Sequence, residues 1–516
     1  MRAIRRLFST VNRDLLQQSS LEPCRDPVAH SLHWRGLVAA TTRSASVRVS
    51  STSRSYTSCV LRAQLFQSPR IHNHLAASST AVYAGFDPTA KSLHVGNLLT
   101  IVALIHFAAA GHSPVALVGG ATGSIGDPSG RSSERSVLSR EIIIENCSGI
   151  RNQLERIFKN AKVTMNRHDP TASSDTTTPK VTSFVERVQV LDNYAWFKDF
   201  SFLDFLGSVG RLSRVSTMLS RESVKSRLDA PDGISFTEFT YQLLQAYDFH
   251  HLYTSHNVTV QIGGSDQWGN ILSGIDLIRR MKPQQQQLQP ASSQPTQDIS
   301  SSSDTVFGLT IPLVTTASGE KFGKSAGNAV WLDPELVSPF DFYQFFRRTP
   351  DGEVERYLNY FSFLSKDAIA ELMAKHQQTP EHHLPQRKLA YEVTHLVHGE
   401  AAANQSEFKS QLLYDSATLT SLPTSKDIID AFKGDDRLVL MPRGQVSGAS
   451  VCEVAAKAGA VKSVSAARKL ISGGGLYVAN NKVASHDARI QESDALDGRL
   501  VLLRAGKSKY TLVLMV

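Results

Sequence analysis

His94-Val95-Gly96-Asn97 and Lys321-Phe322-Gly323-Lys324-Ser325 are two short basic, glycine-containing stretches set far apart in a chain of 516 residues. A histidine at the start of a helix can donate to a phosphate beside the helix dipole, and Gly96 lets a base or ribose approach the backbone. Lys321 and Lys324 can close over a pyrophosphate, with Gly323 between them permitting the loop to bend. Together the two stretches describe machinery for activating a carboxylate with ATP. That reaction requires the carboxylate to meet the α-phosphorus in line while pyrophosphate leaves, so negative charge accumulates on the phosphates. Its catalysis comes from holding two anions in contact and from donors and cations that engage best in the transition state, with little acid–base work.

Elements able to position these groups can be read on both sides of them. Apolar runs such as Val115-Ala116-Leu117-Val118, and Leu309-Thr310-Ile311-Pro312-Leu313-Val314 just before the second signature, alternate with longer helical patterns and glycine-rich turns. This predicts an α/β catalytic domain over 75–345, with a Rossmann-like, doubly wound parallel sheet. Residues 283–304, rich in Gln and Ser, are too polar to pack and are expected to form a disordered insertion within it. Helical spacing then predicts an α-helical domain over 346–435, and mixed helix and strand patterns predict a small α+β module over 446–516.

Charge is concentrated at the start of the chain. Residues 1–70 hold eleven arginines, no lysine and three acids, so their +8 equals the net charge of the whole chain. Such a basic, acid-poor segment is expected to be a mitochondrial targeting segment or a disordered arm outside the fold, which points to the mitochondrial matrix. Cys24, Cys59, Cys147 and Cys452 form no Cys-x-x-Cys pair, so neither a zinc site nor a disulfide framework is expected, and no protein-bound metal. No stretch of about 18 to 20 apolar residues is present, and no membrane association is expected.

Five longer motifs accompany the signatures in order. They are Tyr83-Ala84-Gly85-Phe86-Asp87-Pro88-Thr89, the segment Gly119–Arg131, Tyr241-Gln242-Leu243-Leu244-Gln245-Ala246-Tyr247-Asp248, Gln261–Asn270, and a tail segment from Ser463 to Val478. With them the chain resembles the bacterial-type tyrosyl-tRNA synthetases, class I aminoacyl-tRNA synthetases, from about residue 80 to the C-terminus. The Arg-rich start makes it similar to their mitochondrial members. The resemblance implies L-tyrosine and ATP as substrates, Mg²⁺ with the nucleotide, tRNA(Tyr) as partner and a homodimer.

The resemblance also implies roles for individual residues. Tyr83 and Asp248 would bind the substrate phenol. A carboxylate accepting from that hydroxyl would be left buried and unpaired by phenylalanine, a discrimination for which these enzymes are the known example. Asp127, Tyr241 and Gln245 would hold the ammonium, with Gln261 and Gln267 near the substrate backbone. Gly85, Asp87, Gly264 and Asp266 would meet ATP, while Thr89, His94 and Asn97 act at the phosphates and ribose. Arg131, Arg135, Lys321 and Lys324 would grip the pyrophosphate, and Ser325 closes the loop motif. The chain departs from the family at Ala84, where cysteine is frequent, and at Asn97, where the signature ends in histidine. Both positions are implied to touch ribose.

The tail resembles the ribosomal S-four-type RNA-binding module: a basic helix runs through a glycine turn into a strand and offers Arg468 and Lys469 to RNA phosphate. The helical domain is implied to reach the anticodon. Two alternatives accompany this reading, a tryptophanyl-tRNA synthetase of related architecture and an RNA-binding or intron-splicing factor derived from a synthetase.

Overall fold

The computed structural model describes residues 27–41, 69–131, 133–168, 187–287, 306–314, 324–325, 328–414, 423–506 and 509–516. These form two compact units, one comprising the chain to Ser338 together with Thr349–His398, the other Pro339–Arg348 together with Gly399–Val516. The helical stretch expected over 346–435 is therefore shared between the units, most of its first half belonging with the parallel sheet.

In the first unit, helix α1 (Pro27–Trp34) leads to strand β1 (Ala40–Thr41), and β2 (Ala81–Phe86), helix α2 (Val95–Ala109) and β3 (Ser113–Val118) follow. After helix α3 (Arg140–His168) come β4 (Gln189–Asp192), helix α4 (Phe236–His256), β5 (Val258–Gly264), helix α5 (Trp268–Gln287) and β6 (Phe307–Ile311). Strand order across the sheet is β1-β6-β5-β2-β3-β4. The strands β2 to β6 run parallel and β1 is antiparallel to β6. Helices cover both faces of such a sheet, which is why β3 reads as an unbroken apolar run and is buried along almost its whole length. Helix α2 is buried nearly all round, so it lacks the polar stripe of a surface helix. The strand order reverses between β2 and β5, where open α/β sheets place their ligands.

Part of the segment expected to lie outside the fold is inside it. Val28, Leu32 and Leu37 are buried, and β1 pairs with Leu309 and Thr310 of β6. Arg35, 5 % exposed, donates to the carbonyls of Ser362 and Leu364 at 2.7 Å and of Asn359 at 3.3 Å, at the C-terminal end of helix Asp351–Phe361. A cation suits that end of a helix, where carbonyls lack intrahelical partners. Burial lowers the Arg35 pKa to about 10, so it stays charged at neutral pH. Counting charge over 70 residues concealed this short apolar pattern and its one buried arginine. The other residues of 1–70, except Pro69 and Arg70, lie outside those described, as do most of 283–304; residues 283–287 continue α5 as helix.

The second unit joins helices Pro339–Arg347, Glu400–Tyr414 and Ser425–Phe432 to a sheet of order β11-β10-β13-β14-β9. Its strands are β9 (Leu438–Met441), β10 (Leu476–Val478), β11 (Asn481–Lys482), β12 (Ala495–Leu496, beside β13), β13 (Leu500–Ala505) and β14 (Lys509–Met515). The sheet thus begins at Leu438, ahead of the expected start at 446. Asp435 accepts from Arg437 at 2.7 and 2.8 Å and from Lys409 at 2.8 Å. Burial alone would raise its pKa, but those cations hold it down to about 2. Helix α6 (Val464–Ser472), capped by Ser463, carries Arg468 and Lys469, both exposed. Among the described residues no helix is long and apolar enough to cross a membrane.

Candidate active site

At the C-terminal ends of β2 and β5 the first unit encloses a cavity of about 840 Å³. Sixteen of the residues expected at the site line it: Tyr83, Gly85, Asp87, Thr89, His94, Asn97, Asp127, Arg131, Arg135, Tyr241, Gln245, Asp248, Gln261, Gly264, Asp266 and Gln267. Ala84 is buried in β2 between two of them and is not among the lining residues. Lys321 lies outside the described residues. Lys324 and Ser325 form a short strand, β7, paired with β8 (Asn328–Ala329), and Lys324 stands opposite Ala329, which lines the cavity.

The most buried groups of the cavity suit a phenol. Asp248, 3 % exposed on α4, accepts from Trp196 Nε1 at 2.9 Å and from Asn193 Nδ2 at 3.0 Å. Burial pushes its pKa up to about 8 against the pull of those two donors. Tyr83, 1 % exposed on β2, has a hydroxyl with no hydrogen-bond partner among the described residues. Burial and the nearby Asp248 charge hold that hydroxyl well above the ordinary tyrosine range, so it remains a donor. An acid and an unpaired phenol side by side make a site for one more hydroxyl, which can donate to the first and accept from the second.

A second acid is tied to the first. Asn193, fully buried, also donates to Thr122 Oγ1 at 3.0 Å, Thr122 donates to Asp87 Oδ1 at 2.7 Å, and Tyr241 donates to Asp87 Oδ2 at 2.7 Å. Burial raises Asp87 to about 6, offset by the Tyr241 and Thr122 hydrogen bonds. Since the Tyr241 proton goes to Asp87, its oxygen keeps acceptor capacity for a cation. Asp127 lies close by, accepting from Gln267 Nε2 at 2.6 Å and from its own neighbour Ser129 N at 2.9 Å. Two glycines allow this crowding. A Cβ on Gly119 would sit 2.1 Å from Asp87 Oδ1, and one on Gly264 would sit 2.6 Å from Asp266 Oδ1.

His94 caps α2. Its Nδ1 accepts from Gly96 N at 3.0 Å, so the neutral ring carries its proton on Nε2 and presents a donor there. Asn97 Oδ1 accepts from His94 N at 3.1 Å, completing a capping box and leaving the amide nitrogen as the donor group. The replacement of the signature's final histidine therefore retains a hydrogen-bonding side chain on the cavity wall. Trp331 meets the His94 ring edge-on at 6.2 Å, and Val95 N donates to Val330 O at 2.9 Å. The segment following β8 thus braces the first signature.

Asn193, Trp196 and Trp331 lie outside the motifs, and Thr122 lies inside one without having been given a role. Asn193 follows β4 directly, and its position after a parallel strand was the one available signal. Trp196 carries none, since a tryptophan is more often core.

Comparison with known proteins agrees with this geometry. Residues 76–415 match the family described as tRNA synthetases class I (W and Y), and residues 436–513 match the tyrosine–tRNA ligase SYY-like C-terminal domain. A mitochondrial tyrosine–tRNA ligase of Drosophila melanogaster is 42 % identical over 449 residues, 86 % of this chain and 89 % of that one. A tyrosine–tRNA ligase of Limosilactobacillus fermentum is 42 % identical over 435 residues, 84 % of this chain and 91 % of that one. The crystal structure of a C-terminally truncated Aspergillus nidulans mitochondrial tyrosyl-tRNA synthetase superposes with a TM-score of 0.61 at 30 % identity, covering 77 % of this chain and 96 % of that one. Matches of this extent place the chain in the tyrosine–tRNA ligase family of class I aminoacyl-tRNA synthetases.

Proposed function

We propose that this tyrosine–tRNA ligase binds L-tyrosine with its phenol at Asp248 and Tyr83, its ammonium at Asp127, Tyr241 and Gln245, and its carboxylate near Gln261 and Gln267. ATP enters as its Mg²⁺ complex. Gly85, Asp87, Gly264 and Asp266 take the nucleoside, and Thr89, His94 and Asn97 meet the phosphates and ribose. Arg131, Arg135, Lys321 and Lys324 neutralise the departing pyrophosphate, with Ser325 closing their loop. The carboxylate attacks the α-phosphorus, pyrophosphate leaves, and the terminal ribose hydroxyl of tRNA(Tyr) then attacks the mixed anhydride and releases AMP. The observation that supports this reading is one cavity lined both by a buried acid and an unpaired phenol, Asp248 and Tyr83, and by Thr89, His94, Arg131 and Arg135.

Arg468 and Lys469 on α6 are proposed to contact tRNA phosphates, and the helices following 346 to approach the anticodon. The Arg-rich start supports a mitochondrial, matrix enzyme acting on mitochondrial tRNA(Tyr). A homodimer is supported by Phe202, Leu203, Leu206, Val215, Leu219, Leu228 and Phe236, seven exposed apolar side chains within one run of the first unit. Phe200, Phe205, Leu212 and Phe239 of the same run pack on Val209, Met218 and Leu243, while the exposed seven are the apolar surface that a second copy would cover.

Amino-acid-dependent exchange of pyrophosphate into ATP, run with each of the twenty amino acids, tests the proposal. Exchange with tyrosine, at least about 10³-fold above that with phenylalanine, is expected, since phenylalanine leaves the buried Tyr83 hydroxyl without a partner and brings an apolar ring edge against the buried Asp248. Equal exchange with both would remove the phenol assignment.

A further inference from the structure

Asn270 belongs to a motif that marks the family but has no role in the reading above. It sits in the first turn of α5, 2 % exposed, and its Nδ2 lies among four oxygens. These are Gln245 Oε1 at 3.0 Å, Gln267 Oε1 at 3.3 Å, and Asp127 Oδ1 and Ser129 Oγ, each at 3.4 Å. A primary amide has two N–H groups, so two protons serve four acceptors and only the Gln245 bond has a normal length. Asp127 also accepts from Gln267 Nε2 at Oδ2 and from Ser129 N at Oδ1, whereas Gln245 Oε1 and Gln267 Oε1 face Asn270.

Oxygens of a carboxylate and two amides do not converge unaided, because their dipoles and charge repel one another in a buried site. Asn270 is the common donor that brings them together. Leucine has the same branching and is somewhat bulkier, without a proton to share, and aspartate would add a second carboxylate beside Asp127. The set stays short of donors, which suits an arriving group with three N–H bonds and a full positive charge.

We propose that Asn270 is a positioning residue for amino-group recognition: it holds Asp127 and Gln245 as one acceptor set, with Gln267 fixed beside them, before the substrate ammonium arrives. The proposal rests on the reading that Asp127 and Gln245 receive that ammonium. Asn270 acts through them and does not itself touch the reacting atoms.

The test compares two ligands on the full-length protein: L-tyrosine and 3-(4-hydroxyphenyl)propionate, which keeps the phenol and carboxylate but lacks the amine. Dissociation constants for both are measured by titration calorimetry on the wild type and on Asn270→Leu, Asn270→Ser and Asp127→Asn. Asn270→Leu is expected to reduce the preference for L-tyrosine over the amine-free ligand by roughly tenfold, the factor for about one charged hydrogen-bond partner. Affinity for the amine-free ligand should stay within about twofold. Asn270→Ser, smaller and still a donor, is expected to fall between wild type and Asn270→Leu, and supplies the ratio if the leucine variant does not fold. An unchanged ratio in the Asn270 variants while Asp127→Asn loses its preference would overturn the proposal, as would equal weakening of both ligands. A preference retained in Asp127→Asn would instead defeat the ammonium assignment beneath it.

Discussion

Replacing Asp248 with alanine is expected to lower kcat/KM for tyrosine in pyrophosphate exchange by roughly 10²- to 10³-fold, because truncation leaves the buried donors of Trp196 and Asn193, together with the substrate hydroxyl, without their acceptor. The effect should be larger than for surface acids because Asp248 is almost inaccessible and is held by both Trp196 and Asn193. Its titration provides a second readout. With a folded pKa of about 8 against an ordinary value of 3.8, the folded protein binds more protons than the unfolded chain between those values. Stability from this group is therefore fully present below about pH 4 and is lost as pH rises through about 8. Asp87, raised to about 6, acts in the same direction. Burial lowers the pKa values of His106 and His398, which gives wild type and variant alike a contribution of opposite sign. The readout from denaturation of the ligand-free protein is therefore the stability difference between wild type and Asp248→Asn, which should fall as pH rises across this range. An identical slope in the two proteins would mean that Asp248 is not held in the protonation state its burial requires.

The second large effect concerns the loop signature. Lys324→Ala is expected to slow adenylate formation by roughly 10²- to 10³-fold while leaving the tyrosine dissociation constant within about twofold. A cation that engages pyrophosphate as it departs contributes to the transition state and little to the bound amino acid. Single-turnover adenylate formation together with equilibrium tyrosine binding separates the two. A Lys324→Ala protein that bound tyrosine weakly but reacted at the normal rate once saturated would place this lysine in the amino-acid pocket instead.

What could be read from the chain in advance was governed by where ligands sit on a parallel sheet. Tyr83 and Gln261 lie within β2 and β5, and their partners follow in the glycine turns just after β2, β3 and β5, so their spacing is tightly constrained and visible as motifs. Asn193 and Trp196 are no less involved, holding Asp248 from both sides, but they follow a short strand near the sheet edge with no repeated spacing to reveal them. Asn270 was visible only as a letter in a motif, because its four oxygen neighbours come from three separate segments. Composition misled over 27–41 alone. A net charge summed over 1–70 hides Arg35, a buried cation satisfied by carbonyls more than three hundred residues away. The helices after 346 posed a different difficulty. Helical spacing identifies them one by one, but only tertiary packing decides that Thr349–His398 joins the parallel-sheet unit while Gly399 onward joins the second.

All of these expectations depend on one cavity receiving both substrates in a single orientation. The most direct measurement is a crystal structure of the protein with a non-hydrolysable tyrosyl-adenylate analogue. The phenolic oxygen is expected within hydrogen-bonding distance of Asp248 and Tyr83, the ammonium at Asp127, and the sulfamoyl or phosphoryl group beside His94. An analogue bound with its aromatic ring away from Asp248, or with its nucleoside lodged outside the ends of β2 and β5, would contradict the account.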